Sequence, residues 1–140
     1  MISTNLENSY MFAVQLTNAD LTNANLNSVL IRDANLKNAN FEGANLENTI
    51  FTGRPVHQDT QIFKTNFRGA NLSNAIFSGM DFSNKDLTGV NFENSDFSES
   101  NFKNSILKNA NFQNSNLRNA DLTNADLTNA DLTNADLTNT

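Results

Sequence analysis

The stretch 119–140 reads NADLTNADLTNADLTNADLTNT, in which the pentapeptide Ala-Asp-Leu-Thr-Asn recurs without change. Each pentapeptide holds one large apolar residue, here called the centre. Centres fall at every fifth position from Leu6 to Val56 and again from Ile62 to Leu137, so one extra residue enters between the two runs. A spacing this regular over the whole chain indicates a repeat architecture in which each unit buries its apolar residue against its neighbours.

The residues around the centre are restricted as well. All 27 centres are Leu, Phe, Ile, Met or Val; two residues earlier, 24 positions hold Ala, Ser, Thr or Val, and one residue earlier, 19 hold Asn or Asp. A period of five suits neither a helix, where centres would spiral around every face, nor a strand, where alternate centres would point to opposite faces. A short extended piece followed by a turn does suit it, because the centre and the small residue two before it then both face inward. Four such pieces complete a square coil of about 20 residues, and stacked coils pair like strands.

The consensus Ala-(Asp/Asn)-(Leu/Phe)-X-X resembles that of the pentapeptide-repeat family, and the resemblance covers residues 4–140 apart from the stretch around 54–61. It implies an all-β fold, a right-handed quadrilateral parallel β-helix (a solenoid) of about seven 20-residue coils. The chain is then a single β-helix domain, 1–140, with a bulge or short loop at 52–61. Phenylalanines 20 residues apart should stack in a Phe-rich middle section: Phe77 on Phe97, Phe82 on Phe102 and Phe92 on Phe112.

Composition argues against several classes of function. The net charge of -6, without clustered Lys or Arg, argues against direct binding of nucleic acid. The chain has no cysteine and one histidine, which leaves little material for nucleophilic chemistry. The repeated acids Asp121, Asp126, Asp131 and Asp136 should point away from one another, because each falls on a different face of the square coil. We therefore expect a protein that is not an enzyme, with no catalytic residues, no cofactor, no metal and no small-molecule substrate.

The sequence also bears on location. The N-terminal residues show no basic segment followed by an apolar run, so a signal peptide is not expected. No apolar stretch is long enough to span a membrane. We expect a cytoplasmic protein without membrane contact.

Departures from the consensus are the best guide to a binding surface. Tyr10, Leu30 and Ile50 stand one before a centre, where Asn or Asp is usual and the side chain should point outward. Because they are 20 apart, they should stack into an exposed apolar column, with Phe12 nearby, which suggests a partner contact. The alternative is that the N-terminal segment or the 52–61 loop folds over the column. Two further isoleucines, Ile76 and Ile106, depart in the same way but are expected to be isolated.

Two other departures concern single segments. The stretch 52–61, TGRPVHQDTQ, holds the only proline and the only histidine of the chain. We expect Arg54 and His57 to lie outside the core, either in a tolerated insertion or in a loop that contacts a partner. Met80 and Lys85 stand where a small inward residue is usual, so we expect the coil to bulge locally and Lys85 to reach solvent.

Two functions follow from these observations. The first is a rigid structural or interaction module that binds an unidentified protein. The alternative comes from the resemblance, since some pentapeptide-repeat proteins mimic duplex DNA, bind gyrase or topoisomerase IV and protect against quinolones. Against it, the acids are interrupted by Lys and Arg, and no C-terminal helix like that of the gyrase-directed relatives is predicted. A homodimer is also expected through the C-terminal coil, whose core would be uncovered at Leu122, Leu127, Leu132 and Leu137.

Overall fold

The computed structural model describes residues 4–52, 62 and 65–140, without the side chain of Thr52. Its three strands are β1 (Tyr10–Phe12), β2 (Leu30–Arg32) and β3 (Ile50–Thr52), which form a parallel sheet in the order β1-β2-β3. Elsewhere the strands shrink to single parallel bridges, from Asn5 with Asn25 to Asn116 with Asp136. The described residues therefore form the predicted stack of coils, a quadrilateral parallel β-helix.

Four columns of parallel pairs divide the coil into four faces, numbered here in chain order. Face 1 has the centres Leu6, Leu26, Leu46, Leu72, Phe92, Phe112 and Leu132. Face 2 has the centres Met11, Ile31, Phe51, Phe77, Phe97, Leu117 and Leu137. Face 3 has the centres Leu16, Leu36, Ile62, Phe82, Phe102 and Leu122. Face 4 has the centres Leu21, Phe41, Phe67, Leu87, Leu107 and Leu127.

The centres and the small residues two before them form one continuous core. Phenylalanines dominate its middle, and the three predicted stacks are confirmed: the ring centroids are 5.2 Å apart for Phe77 and Phe97, 5.1 Å for Phe82 and Phe102, and 4.8 Å for Phe92 and Phe112. Rings from neighbouring faces meet edge-on, as Phe82 and Phe97 do at 71°. Stacked contacts along the rod and edge-on contacts across it are both arrangements that aromatic rings prefer.

The corners explain the polar half of the repeat. The second residue after a centre has a left-handed backbone, with φ of 61° at Asn18 and 65° at Gly43, a conformation that Asn and Gly tolerate best. The residue before the centre holds the same turn from its other side, since the backbone N–H of Lys103 donates to Oδ1 of Asn101 at 3.0 Å. Asn and Asp recur in the sequence because one corner position favours a residue that tolerates the left-handed backbone and the other favours a side-chain oxygen that accepts from the turn.

The register across the break differs from the prediction. Asn40 pairs with Asn66, Asn45 with Asn71 and Ile50 with Ile76, in each case 26 residues on. The chain between Phe51 and Ile62 therefore holds six residues more than the repeat requires, not one.

The prediction of a single extra residue was wrong because it counted Val56 as a centre of the coil. Ile62 is the centre that follows Leu36 on face 3, since the Thr65 hydroxyl donates to the Leu36 carbonyl at 2.8 Å, as the Ser95 hydroxyl donates to the Leu72 carbonyl on the coil below. Val56 itself, and the predicted loop beyond the backbone of Thr52, lie outside the described residues.

The coil opens on one side of Lys85. Toward the C-terminus the ladder is intact, since the N–H of Ile106 donates to the Lys85 carbonyl at 2.8 Å. Toward the N-terminus, no bridge joins Asn66 to Asp86 within the described chain, although Asn66 pairs with Asn40 on its other side. The predicted local bulge is therefore confirmed on one side only, and Lys85 itself is half-buried.

Candidate protein-interaction surface

Four apolar side chains follow one another along face 2. Tyr10, Leu30 and Ile50 pair in register through β1, β2 and β3, as predicted, and Ile50 pairs in turn with Ile76. Tyr10 is 61% exposed, Ile50 36% and Ile76 42%, whereas Leu30 is half-buried. We call these four residues the apolar stripe.

The prediction that Ile76 is isolated was wrong. With a single extra residue in the break, Ile50 would have met Asn71, and the stripe would have ended after three residues. The observed register brings Ile76 onto Ile50 instead. The signal was present in the sequence, because Ile50-Phe51 and Ile76-Phe77 repeat the same pair of residue types at one before the centre and at the centre.

An aromatic ring and a paired cation border the stripe at its first two coils. Phe12 is 56% exposed, and its ring lies nearly parallel to that of Tyr10, with centroids 6.4 Å apart. The guanidinium carbon of Arg32 lies 5.9 Å from the centroid of the Phe12 ring, and its Nε lies 3.5 Å from the Asp33 carboxylate. The apolar surface is therefore widest at Tyr10 and Phe12, and the nearest cation already has a carboxylate partner.

Beyond Ile76 the same column becomes acidic. It continues with Asp96, Asn116 and Asp136, and Asn116 Nδ2 donates to Asp96 Oδ1 at 3.0 Å. Glu99 is exposed at the adjoining corner. The negative charge of Asp136 is offset by Arg118, because Nη1 of Arg118 lies 3.4 Å from the Asp136 carboxylate. Face 2 thus changes from apolar to acidic over one coil step of about 4.8 Å.

Face 1 presents a different surface from the same position of the repeat. Six asparagines stack along it, and each side-chain amide after the first donates to the side-chain carbonyl oxygen of the preceding asparagine at 3.0 to 3.4 Å. We call this set the asparagine ladder: Asn5, Asn25, Asn45, Asn71, Asn91 and Asn111. The column beside it carries a carboxylate in every second coil, at Glu7, Glu47 and Glu93, and the described residues of face 1 include no Lys or Arg.

The regularly spaced aspartates hold turns. The hydroxyl of Thr128 donates to Asp126 Oδ1 at 2.5 Å and the backbone N–H at 3.1 Å, and the pKa of Asp126 is lowered chiefly by that hydroxyl. The same arrangement lowers the pKa of Asp20, Asp86, Asp131 and Asp136. As predicted, the aspartates at 121, 126, 131 and 136 pair with different columns. Among the described residues, no group of acids is placed to hold a metal.

The pKa of Lys85 is lowered from its ordinary value. Burial disfavours its charged form, and the nearby carboxylate of Asp81 offsets part of this effect. The residue that stacks on it, Ser105, has a buried hydroxyl without a hydrogen-bond partner among the described residues. The coil is therefore imperfectly packed around Lys85 and Ser105.

The other predicted contact residues have different outcomes. Arg54 and His57 lie outside the described residues. At the C-terminal end the core is partly uncovered: Leu117 is fully buried, whereas Leu122, Leu127 and Leu132 are half-buried and Leu137 is exposed. Association of two molecules through these leucines stays a prediction. Within the described chain, no helix is long and apolar enough to cross a membrane.

Comparison with known proteins supports the fold inferred from the repeat. HetL, a pentapeptide repeat protein involved in heterocyst differentiation regulation from the cyanobacterium Nostoc sp. strain PCC 7120, is 23% identical and has a TM-score of 0.53. The match covers 96% of this chain but 64% of HetL, so the chain spans less than two thirds of that relative.

Two further solved structures are similar at lower TM-scores. Full-length QnrB1, a plasmid-mediated fluoroquinolone resistance protein, is 20% identical over 95% of this chain and 84% of its own, with a TM-score of 0.45. A pentapeptide repeat protein from the Arabidopsis thaliana thylakoid lumen is 22% identical over 82% of this chain and 69% of its own, with a TM-score of 0.36. No curated protein matches the sequence.

The repeat itself is matched along nearly the whole chain. The family model for pentapeptide repeats matches in 8 copies, over residues 1–27, 15–53, 65–104 and 105–140. The matches leave out only the stretch 54–64, where the register departs from 20 residues per coil. The chain belongs to the pentapeptide-repeat family, whose fold is the right-handed quadrilateral β-helix.

Proposed function

We propose that this protein is a non-catalytic β-helical scaffold that binds another protein through the apolar stripe of face 2. The observation that carries the proposal is the alignment of Tyr10, Leu30, Ile50 and Ile76 over consecutive coils, in an outward column where the repeat usually places Asn or Asp. A single outward isoleucine such as Ile106, 41% exposed, is ordinary on a soluble protein. Four in register form a contiguous apolar patch, which is typical of an interaction site. The predicted cytoplasmic location belongs to the same proposal.

The scaffold under the stripe suits this role. The centres beneath it, from Met11 to Phe77, are buried, and the backbone on either side is joined to the neighbouring coils by hydrogen bonds, such as that from Ile76 N to Thr49 O at 3.1 Å. Side chains anchored on such a surface lose little conformational freedom when a partner binds. A preorganised surface of this kind favours recognition over chemistry.

The test is a site-specific photo-cross-link. Benzoylphenylalanine in place of Ile50 should form an adduct with a protein in an extract of the native cells. An excess of unlabelled wild-type protein should suppress that adduct, whereas the unlabelled Ile50→Asn/Ile76→Asn variant should not. Asn is the commonest residue at this position of the repeat, so the variant is expected to fold normally.

Ile106 provides the matched control. It occupies the same position of the repeat on face 4 with nearly the same exposure as Ile76, but its column neighbours are Asp86 and Asp126. Benzoylphenylalanine at 106 should give no such adduct. An adduct of equal yield at 106, or no competable adduct at 50, contradicts the proposal.

The charge distribution favours a second candidate, a DNA mimic that binds a topoisomerase. Its supporting observation is face 1, where Glu7, Glu47 and Glu93 recur every second coil without a cation in the described part of that face. The test is a gyrase supercoiling assay with and without a quinolone. Inhibition, or protection of gyrase from the drug, that weakens in a Glu47→Gln/Glu93→Gln variant would support this candidate. No effect at high excess would remove it for gyrase.

A further inference from the structure

We infer that the partner contributes an amphipathic helix that lies along the rod axis, with apolar side chains on the stripe and basic side chains over Asp96 and Glu99. The inference rests on the proposed function and specifies the chemistry of its partner. Two independent features of face 2 lead to it, the spacing of the stripe and the change of charge at its end.

The spacing of the stripe fits a helix better than a strand. Neighbouring stripe residues lie one coil apart, about 4.8 Å. The apolar side of a helix recurs about every 5.4 Å, whereas residues on one side of an extended strand recur about every 6.7 Å. Over the three steps from Tyr10 to Ile76 the helix accumulates a mismatch of about 2 Å, which side chains can absorb. The strand accumulates about 6 Å, more than one whole coil.

The charge on face 2 specifies one end of that helix. Asp96 follows Ile76 one coil on in the same column, and Glu99 stands at the neighbouring corner. Asp96 accepts hydrogen bonds from Asn116 Nδ2 and Ser98 N, but neither it nor Glu99 belongs to an ion pair among the described residues. At the opposite end of the stripe, the charge of Arg32 is offset by Asp33. The complementary helix therefore has a basic end beyond its last apolar turn.

Its length follows from the same geometry. Four coil steps separate Tyr10 from Asp96, about 19 Å in all. At about 1.5 Å per residue, a helix covers this distance with about 13 residues. Apolar residues spaced i, i+4, i+7 and i+11, followed about three residues later by Lys or Arg, would meet the stripe and then the acids.

The experiment measures binding of labelled synthetic peptides by fluorescence anisotropy. One peptide has Leu at the helical spacing above with two arginines after it, and a second has the reversed sequence, so that both helix directions are sampled. A third has the same composition with Leu at alternate positions, the strand spacing. At least one helical peptide should bind about tenfold more tightly than the strand-spaced one, and Ile50→Asn/Ile76→Asn should weaken it about tenfold, corresponding to about 1.4 kcal/mol.

Two single variants separate the apolar and charged parts. Asp96→Asn keeps the oxygen that accepts from Ser98 and Asn116 but removes the charge, so it should weaken binding about threefold and reduce its dependence on salt. Ile106→Asn, on face 4, should leave binding unchanged.

Three results would overturn the inference. They are equal binding of the strand-spaced peptide, equal weakening by Ile106→Asn, and a homodimer in sedimentation that Ile50→Asn/Ile76→Asn abolishes, which would make a second copy the occupant. A competable cross-link to a partner protein at position 50, combined with no preference for the helical peptides, would remove this inference and leave the proposed function standing.

Discussion

Faces 1 and 2 use the same position of the same repeat to build opposite surfaces. On face 1 the residue before the centre is asparagine in six successive coils, and each amide donates to the one before it. On face 2 the first four coils place Tyr10, Leu30, Ile50 and Ile76 at that position. Both faces have a parallel backbone ladder over apolar centres, although only face 2 has three-residue strands, so the difference in surface chemistry lies in the outward side chains.

The two faces differ in the role of these outward side chains: those of face 1 stabilise the fold, and those of face 2 form a surface that a partner can contact. An asparagine ladder satisfies its own donors and acceptors, and stabilises adjacent coils as such ladders do in stacked β-structures. An apolar stripe has no partner among the residues that the structure describes and leaves apolar area exposed to water. The residues before the centres of face 1 therefore stabilise the fold. The corresponding residues in the first four coils of face 2 lack a side-chain ladder and form an apolar surface that another molecule can cover.

The largest expected effect on stability comes from a substitution in the buried core, which both faces share. Phe97→Ala should lower the free energy of unfolding by about 3 to 5 kcal/mol, because it removes a fully buried ring from the Phe-rich middle. Its centroid lies 5.2 Å from that of Phe77 and 4.7 Å from that of Phe92. Urea denaturation followed by circular dichroism measures the loss. Phe12→Ala, at an exposed ring of face 2, is the control, and an equal loss there would contradict a core centred on the phenylalanines.

The second-largest effect on stability is expected from a substitution in the asparagine ladder of face 1. Asn71→Ala should lower the free energy of unfolding by about 2 kcal/mol, because it removes a link to Asn45 at 3.2 Å, a link to Asn91 at 3.0 Å and the acceptor of the Ser73 N–H. In the same urea experiment Ile50→Asn/Ile76→Asn on face 2 should change stability by less than about 0.5 kcal/mol. A loss for Asn71→Ala no larger than this would mean that the ladder contributes nothing beyond the backbone hydrogen bonds.

A third variant extends the comparison of stability to face 4, where the structure shows no backbone bridge between the described residues Asn66 and Asp86. Lys85→Ser restores the small inward residue that the repeat prefers and should raise the free energy of unfolding by about 1 kcal/mol at neutral pH. The reason is that burial disfavours the charged form of Lys85, an effect that the nearby Asp81 carboxylate offsets only in part. Lys103→Ser, at an exposed lysine of face 3, should change stability little and serves as the control.

The same site makes a prediction about alkaline pH. Burial holds the folded pKa of Lys85 below its ordinary value of 10.5, so the unfolded chain binds this proton more tightly. The contribution of Lys85 to the free energy of unfolding should therefore rise as pH increases from the folded pKa toward 10.5. The advantage of Lys85→Ser over the wild type should shrink over this window. An advantage that is constant with pH would assign the effect to side-chain volume alone.

Most of this architecture can be predicted from the sequence, because the repeat encodes the inward and outward positions directly. The phenylalanine stacks and the apolar column at Tyr10, Leu30 and Ile50 follow from counting 20 residues per coil. The count fails at one place, where Val56 has the residue type and the spacing of a centre. Periodicity does not reveal whether Val56 or Ile62 stacks on Leu36. Because the prediction chose Val56, it missed that Ile76 lies next to Ile50 in the apolar stripe.

The details around Lys85 show a second limit. The sequence identifies Met80 and Lys85 as too large for their positions, and it predicts a local bulge. Whether the preceding or the following coil moves away depends on the strength of the two ladders. Toward the C-terminus the strands are held by regular pairs such as Asp86 with Ile106, whereas the preceding coil comes directly after the six residues that the chain holds beyond the repeat. The coil therefore opens on the side that leads to the break.

The smallest effect concerns aspartate at the position before the centre, the position that the asparagine ladder occupies on face 1. Asn91 links two coils, whereas Asp136 accepts from Thr138 in its own turn, at 2.6 Å from the hydroxyl. That bond lowers the pKa of Asp136, and the Thr128 hydroxyl does the same for Asp126. Because these folded pKa values lie below the ordinary value of 3.8, their stabilisation is complete above pH 3.8 and is lost as pH falls through the folded values.

Thr128→Val/Thr138→Val should therefore be slightly less stable than the wild type at pH 6, and the two proteins should converge as the pH falls below 3.8 and through the lowered pKa values of Asp126 and Asp136. Urea midpoints measured across this range would show it. The matched control is Thr17→Val, because Thr17 follows Gln15, which carries no ionisable carboxyl at the position before the centre. A difference that persists at low pH would show that the hydroxyls act by packing. In that case the charge of aspartate would add nothing to this turn, and aspartate and asparagine would hold it equally well at the position before the centre.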